Sequence, residues 1–115
     1  MCSHQAITQA AGYYEGYITA SLIEQLAFNI DLFAFVPPDN LAEYLLANQE
    51  FTAQNIQQAQ SLPPGDPMRA YWYHVSLTLV QLSGINRGYQ AYRHGWFELL
   101  LFVPTLILRR QRQRD

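Results

Sequence analysis

The stretch Ala70–Tyr92, AYWYHVSLTLVQLSGINRGYQAY, decides how this chain folds. Six of its residues recur at alternating steps of three and four, which places them on one stripe of a helix. These residues are Trp72, Val75, Leu79, Leu82, Asn86 and Tyr89. Asp66 followed by Pro67 predicts the start of the helix, because aspartate caps free N–H groups and proline fits the first helical position. Gly84 and Gly88 are expected to bend or break the helix after Leu82.

The composition is that of one small domain, or a piece of a larger one, with few charges. The chain has 115 residues, of which 50% are hydrophobic and 14% are charged, against a usual charged share of roughly 25%. Such an uncharged surface suits a partner or the rest of a larger fold. The net charge of −2 argues against nucleic-acid binding. No signal peptide is visible, so the protein is cytosolic or this start is not the native one.

A first helix is predicted from about Gln5 to Asn29. Its apolar residues recur at steps of three and four, which marks the side expected to be buried. They are Ile7, Ala11, Tyr14, Ile18, Leu22 and Leu26. Gly12, Gly16 and Ala20 lie four apart on a second face. We interpret this second face as a groove for close approach of another backbone in tight helix packing, rather than as a ligand contact.

A second helix should follow the pair Pro37-Pro38, which is expected to stop the first helix or its extension. Asp39 or Asn40 would cap it, and Asn40 with Glu43 has the spacing of a capping box. The turn at Ser61–Pro67 is short, so it predicts an antiparallel hairpin with the third helix. One side of the second helix is rich in glutamine and should be exposed. Its inner side is expected to carry Leu41, Tyr44, Leu45, Phe51, Ile56 and Ala59.

The C-terminal part differs in character from the rest. Trp96–Leu108 is nearly continuously apolar and is followed by the basic run RRQRQRD. A membrane-spanning helix needs roughly 20 apolar residues, so this run is too short by several residues. A tail anchor with flanking positive charges is one interpretation. We favour the other, a buried strand or helix that packs on the missing part of a larger fold.

Two stretches together resemble one family. Ala10–Ala20 reads AAGYYEGYITA, and Tyr71–Gly84 reads YWYHVSLTLVQLSG, followed by Tyr89. Both resemble the N-terminal part of phospholipase B-like proteins, and the resemblance covers residues 6–92. We therefore treat residues 1–115 as a single partial domain, with residues 93–115 as a divergent apolar segment and basic tail.

The resemblance implies an N-terminal nucleophile hydrolase with a four-layer αββα fold, acting on phospholipid ester or related amide bonds in lysosomes or outside the cell. In this family a cysteine exposed by cleavage becomes the nucleophile, and its own α-amino group can serve as the base. That cysteine lies beyond the matched region, and this chain stops before it. We therefore expect a mainly α fragment of about three helices with one hairpin, inactive alone, arising from a truncated or frame-shifted gene model.

No catalytic, cofactor-binding or metal-binding residue can be assigned. Cys2 would become N-terminal if Met1 were removed, but it precedes the helices instead of following them. His74 lies near the edge of the apolar stripe and reads as structural, His94 reads as a surface residue, and Glu15 reads as a structural ion-pair partner. There is no Ser-His-Asp arrangement, phosphate-cradling loop or Cys/His cluster with metal-ligand spacing.

Two functions remain open on the sequence alone. The first is an enzyme part, whose partners would be the missing C-terminal catalytic chain and, for the complete enzyme, a phospholipid. The second is a standalone helical interaction module that binds a partner or a membrane surface. In both cases the uncovered apolar faces favour self-association.

Overall fold

A computed structural model describes residues 3–93, except the side chain of Phe33. Within this range all regular structure is helical and no strand occurs, so the predicted mainly α fold is confirmed. The described part holds four α-helices and not three, because the predicted first helix is divided in two. The elements are α1 (His4–Ile18), α2 (Ala20–Asn29), a 3-10 turn (Leu32–Ala34), α3 (Asp39–Ala59) and α4 (Pro67–Arg93).

Thr19 separates α1 from α2. Its backbone N–H and its hydroxyl both donate to the carbonyl oxygen of Glu15, at 3.0 and 2.7 Å. A threonine hydroxyl that bonds back to the carbonyl four residues earlier bends a helix. The backbone at Thr19 has φ −103° and ψ 8°, outside the helical range. The interruption therefore coincides with a local side-chain bond that the apolar periodicity does not reveal.

The helix α2 ends at Asn29, where the first helix was predicted to end, and no α-helical extension of it reaches Pro37-Pro38. Asp31 adopts a left-handed conformation with φ 55°, and its N–H donates to the carbonyl oxygen of Phe28 at 3.1 Å. A left-handed residue just after the C-cap commonly ends a helix, and aspartate tolerates this conformation better than most residues. The chain has therefore left the α-helix well before the prolines.

The helix α3 starts two residues earlier than its predicted capping box requires. Pro38 is the extended residue before it, and no side-chain cap bond forms. Asn40 already lies inside the helix, where its side chain accepts from the N–H of Leu41, so the predicted capping box with Glu43 is wrong. Of the expected inner side only Ala59 is buried, and Phe51 is largely exposed. The glutamine side is exposed as predicted, at Gln49, Gln54, Gln57, Gln58 and Gln60.

The fourth helix begins as predicted. The Asp66 carboxylate accepts the N–H of Met68 at 2.8 Å, which places Asp66 at the N-cap and Pro67 at the first helical position. The helix then runs unbroken to Arg93, so the break that the glycines could have caused after Leu82 does not occur. The predicted hairpin forms between α3 and α4, with the rings of Phe51 and Trp72 edge to face at 6.1 Å.

The core is small and lies mainly where α1 and α2 pack along α4. Among the residues that the structure describes, the largest fully buried side chains are Tyr89 and Pro37. On the predicted stripe of α4, Trp72 and Val75 are half-buried, whereas Leu79 and Leu82 are exposed. The other buried residues along this packing are small or polar: Gly12, Gly16, Ala20, Ala27, Gly84, Asn86 and Gly88.

Candidate functional site

Two pairs of glycines bring α1 and α4 into backbone contact, and we call this interface the glycine seam: Gly12 and Gly16 on α1, Gly84 and Gly88 on α4. A Cβ atom added at Gly12 would lie 2.2 Å from the carbonyl oxygen of Gln81, and one at Gly84 would lie 2.3 Å from that of Gln9. Both distances are far inside van der Waals contact. At this separation of the helices no side chain fits at either position.

The two helices of the seam run in the same direction. Gly12 faces Gln81, and Gly16, one turn later, faces Ile85, one turn later on α4. The predicted groove on α1 therefore receives another backbone, which confirms tight helix packing. That backbone belongs to the stretch Ala70–Tyr92. The two segments that carry the family resemblance, AAGYYEGYITA and YWYHVSLTLVQLSG, therefore pack directly on each other. The sequence carried a signal for the α4 half of the seam, because Gly84 and Gly88 repeat the spacing of Gly12 and Gly16.

Side-chain hydrogen bonds also join α1 to α4, one before the seam and one beside it. His4 Nδ1 and the Tyr73 hydroxyl lie 2.7 Å apart and share a hydrogen bond. Further along, Gln81 donates its side-chain N–H to the Glu15 carboxylate at 3.3 Å. Glu15 is exposed and its partner is an amide rather than a cation, so the structure shows a surface hydrogen bond in place of the expected ion pair.

A cluster of Glu24, Tyr89 and Arg93 fastens α2 to the end of α4. The Arg93 guanidinium pairs with the Glu24 carboxylate, and the buried Tyr89 hydroxyl donates to the same carboxylate at 3.4 Å. Burial raises the pKa of the Tyr89 phenol above its ordinary value of 10.0; the Glu24 carboxylate adds to this rise and Arg93 opposes it. Sequence reasoning missed this cluster, because Glu24 lies more than sixty residues from Tyr89 and Arg93 and the three carry no motif.

The remaining candidate residues are not brought together. His74 is exposed on α4, with its ring against the edge of Tyr73 at 5.8 Å. Cys2, His94 and the predicted apolar segment Trp96–Leu108 lie outside the described residues. Across residues 3–93, no group of three or more His, Cys, Asp or Glu side chains could hold a metal ion.

The back of α1 and α2 carries an exposed row of large apolar side chains, here called the outer stripe. Tyr14 lies two residues from both Gly12 and Gly16, or about 200° around the helix, so it points away from α4. The prediction that this row is the buried side of the helix is therefore wrong: the glycine face is buried instead. The outer stripe consists of Ile7, Tyr14, Ile18, Leu22 and Leu26, each between 56% and 67% exposed.

None of α1 to α4 combines the length and apolarity that crossing a bilayer requires.

The described residues thus form a helical unit in which the glycine face of α1 packs on α4 and the outer stripe is exposed. Its sequence matches a known family. The family model described as Phospholipase B matches residues 1–108, so the chain belongs to the phospholipase B family. The match extends beyond Tyr92, where the resemblance described above stops.

A curated relative is the phospholipase B-like protein B of Dictyostelium discoideum, which is 28% identical over 103 residues. The aligned part is 87% of this chain but 17% of that relative, so the chain spans about one-sixth of the relative's length. No solved structure gives a significant match to the chain.

Proposed function

We propose that this chain forms the N-terminal helical part of a phospholipase B-like hydrolase that cleaves phospholipid ester or related amide bonds. Membership of the phospholipase B family is the observation that carries the proposal. The family resemblance also underlies our proposal of a lysosomal or secreted location. The complete enzyme would have a phospholipid as substrate, and the partner of this chain would be the catalytic part of that enzyme.

The chain's part in this enzyme is structural. The described residues contain no nucleophile and base arranged for acyl transfer, and the thiol of Cys2 lies outside them. We propose that the nucleophile is a cysteine in the catalytic part, where its own α-amino group can accept the proton. The 115-residue chain is then inactive alone, and its helices cover a sheet of an αββα fold.

The outer stripe supports this division of roles. Fully burying a large apolar side chain contributes about 1.5–3 kcal/mol. Because the five side chains are each more than half exposed, roughly 5–9 kcal/mol of burial energy is not realised in the isolated chain. That amount is comparable to the whole stability of a typical domain, about 5–15 kcal/mol. A surface of this kind is suited to packing against another layer of a larger fold.

An assay of fatty-acid release from short-chain phosphatidylcholine, made on the purified chain, tests the proposed inactivity. We expect the chain and its Cys2→Ala variant to give the same background rate, while a secreted phospholipase serves as the positive control. Robust turnover that survives Cys2→Ala would contradict the assignment. Translating the genomic sequence downstream in all frames tests the other half, because an open frame with a cysteine after a family-like segment is expected.

The outer stripe also favours a second function, a non-enzymatic helical module that lies on a membrane surface. Sedimentation with phosphatidylcholine vesicles separates the two. Binding that disappears in a Leu22→Ser/Leu26→Ser variant, but persists when the exposed polar pair Gln57 and Gln58 is changed to serine, would favour the membrane module. If the chain is instead part of an enzyme, the parent chain should bind vesicles no more strongly than the Leu22→Ser/Leu26→Ser variant does.

A further inference from the structure

A cleft of about 250 Å³ lies where the start of α1, the end of α3 and the first turns of α4 meet. It is separate from the glycine seam and from the outer stripe. Its walls differ in chemistry, with Ile56 and Trp72 on the apolar side and Arg69, Gln5 and Gln60 on the polar side.

The main apolar surface of the cleft is the indole ring of Trp72, whose position is restricted by two neighbouring aromatic rings. Trp72 meets Phe51 edge to face at 6.1 Å and Tyr71 edge to face at 5.0 Å. Since two neighbours restrict the ring from different helices, the indole presents a preformed apolar surface to the cleft. A ligand that packs on it loses little energy in ordering the protein.

The polar wall favours an anion. The Arg69 guanidinium is half-buried and donates one N–H to the carbonyl oxygen of Leu62 at 2.7 Å, which fixes its position. A guanidinium has five N–H donors, so one carbonyl does not saturate it. The residues that line the cleft include no aspartate or glutamate. The start of α1 adds partial positive charge nearby, at Ser3, whereas the start of α4 is capped by the Asp66 carboxylate.

We propose that this cleft binds a short-chain carboxylate, with the carboxylate on Arg69 and the alkyl chain on Trp72. Guanidinium and carboxylate match in a two-point geometry that an ammonium or an amide cannot reproduce. The cleft has the volume of about eight water molecules, each occupying about 30 Å³, so it suits an acid of about eight non-hydrogen atoms such as hexanoate. The proposal does not depend on the proposed function, because a chain with no role in hydrolysis would bind hexanoate equally well.

The fluorescence of Trp72 reports on the cleft directly. The chain has two tryptophans, so the full-length Trp96→Phe variant leaves Trp72 as the only tryptophan, which can be excited selectively over the tyrosines. We expect hexanoate to change this emission saturably, with a Kd of about 1 mM. Hexanamide, a neutral molecule of the same shape, and inorganic phosphate, an anion with no alkyl chain, should each bind at least about tenfold more weakly at the same ionic strength.

Two matched charge-removing variants in the same background localise the binding. Arg69→Gln should weaken hexanoate binding by about tenfold or more, whereas Arg87→Gln, at an exposed position of α4, should leave it unchanged. No saturable change, equal affinity for hexanamide or for phosphate, or an equal loss in Arg87→Gln would each overturn the proposal. Circular dichroism checks that each variant is folded. If Arg69→Gln does not fold, the comparison of hexanoate with hexanamide on the Trp96→Phe chain decides the role of charge.

Discussion

Replacing Gly16 by alanine tests whether the glycine seam holds the chain together. The added methyl carbon would lie 2.0 Å from the carbonyl oxygen of Ile85 and 2.7 Å from the adjoining carbonyl carbon. Both atoms belong to the backbone of α4, so no side-chain rotation can relieve the clash. Ordinary contact begins at 3.4 Å, and α1 and α4 must therefore separate by roughly 1.4 Å at this point.

Two opposing effects set the magnitude. Alanine favours a helix over glycine by about 1 kcal/mol, which alone would make Gly16→Ala stabilising. Against this, overpacking a well-packed interface costs about 1–3 kcal/mol or more. Where the helices are forced apart by only about 0.5–1 Å, each pair of atoms in contact already loses a quarter to a half of its van der Waals attraction. Because the seam extends over several turns, the packing loss should prevail. Because the clash is with backbone atoms, we take the packing cost as about 3 kcal/mol, the upper end of this range, which leaves a net loss of about 2 kcal/mol.

Urea unfolding followed by far-UV circular dichroism measures this loss. With a slope of about 2 kcal/mol per molar urea, the midpoint should fall by about 1 M. Ala11→Gly, at an exposed position of α1, calibrates the propensity effect and should cost about 1 kcal/mol. Gly65→Ala, with no atom within 4 Å of the new methyl group, should be neutral or slightly stabilising. A Gly16→Ala chain as stable as the parent, or more stable, would refute the close packing on which the seam rests.

Two further predictions concern stability. Because the pKa of Tyr89 is raised in the folded chain, its contribution to stability is fully present below pH 10.0 and is lost as the pH rises through the folded value. Between about pH 8 and about pH 11, the urea midpoint should therefore fall less steeply with pH in Tyr89→Phe than in the parent chain. The exposed control Tyr14→Phe should behave like the parent. The same dependence of the midpoint on pH in all three chains would exclude Tyr89 as the cause. Asp66→Ala removes the acceptor for the Met68 N–H and should cost about 1 kcal/mol, whereas Asp66→Asn keeps a capping oxygen and should cost little, so equal losses would argue against a capping role.

Local signals predicted much of the fold because the forces behind them are local. The Asp66–Pro67 start, the α3–α4 hairpin and the close-approach face of α1 all follow from capping, turn and glycine chemistry within a few residues. Thr19 shows the limit of this reasoning. Its hydrogen bond to the Glu15 carbonyl is also local, yet the spacing of the apolar residues is the same before and after Thr19. The periodicity therefore predicted one helix where there are two.

The burial pattern could not be predicted in the same way. Periodicity marks a row of apolar residues as the side to bury, but only the tertiary partner decides whether it is buried. In α1 the partner α4 occupies the glycine face, and Tyr14 on the apolar row stays exposed. The Glu24–Tyr89–Arg93 cluster and the cleft at Arg69 likewise depend on residues from separate helices, so neither had a sequence signal.

The glycine seam and the outer stripe together constrain the role of α1. Four helical glycines disfavour their helices by about 4 kcal/mol in total relative to alanine, and the backbone contact they allow buries few large side chains. A helix pair that had to be stable alone would bury its large apolar row and leave the glycine face outside. Here Gly12 and Gly16 are buried while Ile7 and Ile18 are exposed. This inversion is expected of a helix that packs on both sides, with α4 on one face and a further layer on the other, and it supports the proposal that α1 belongs to a layered hydrolase fold.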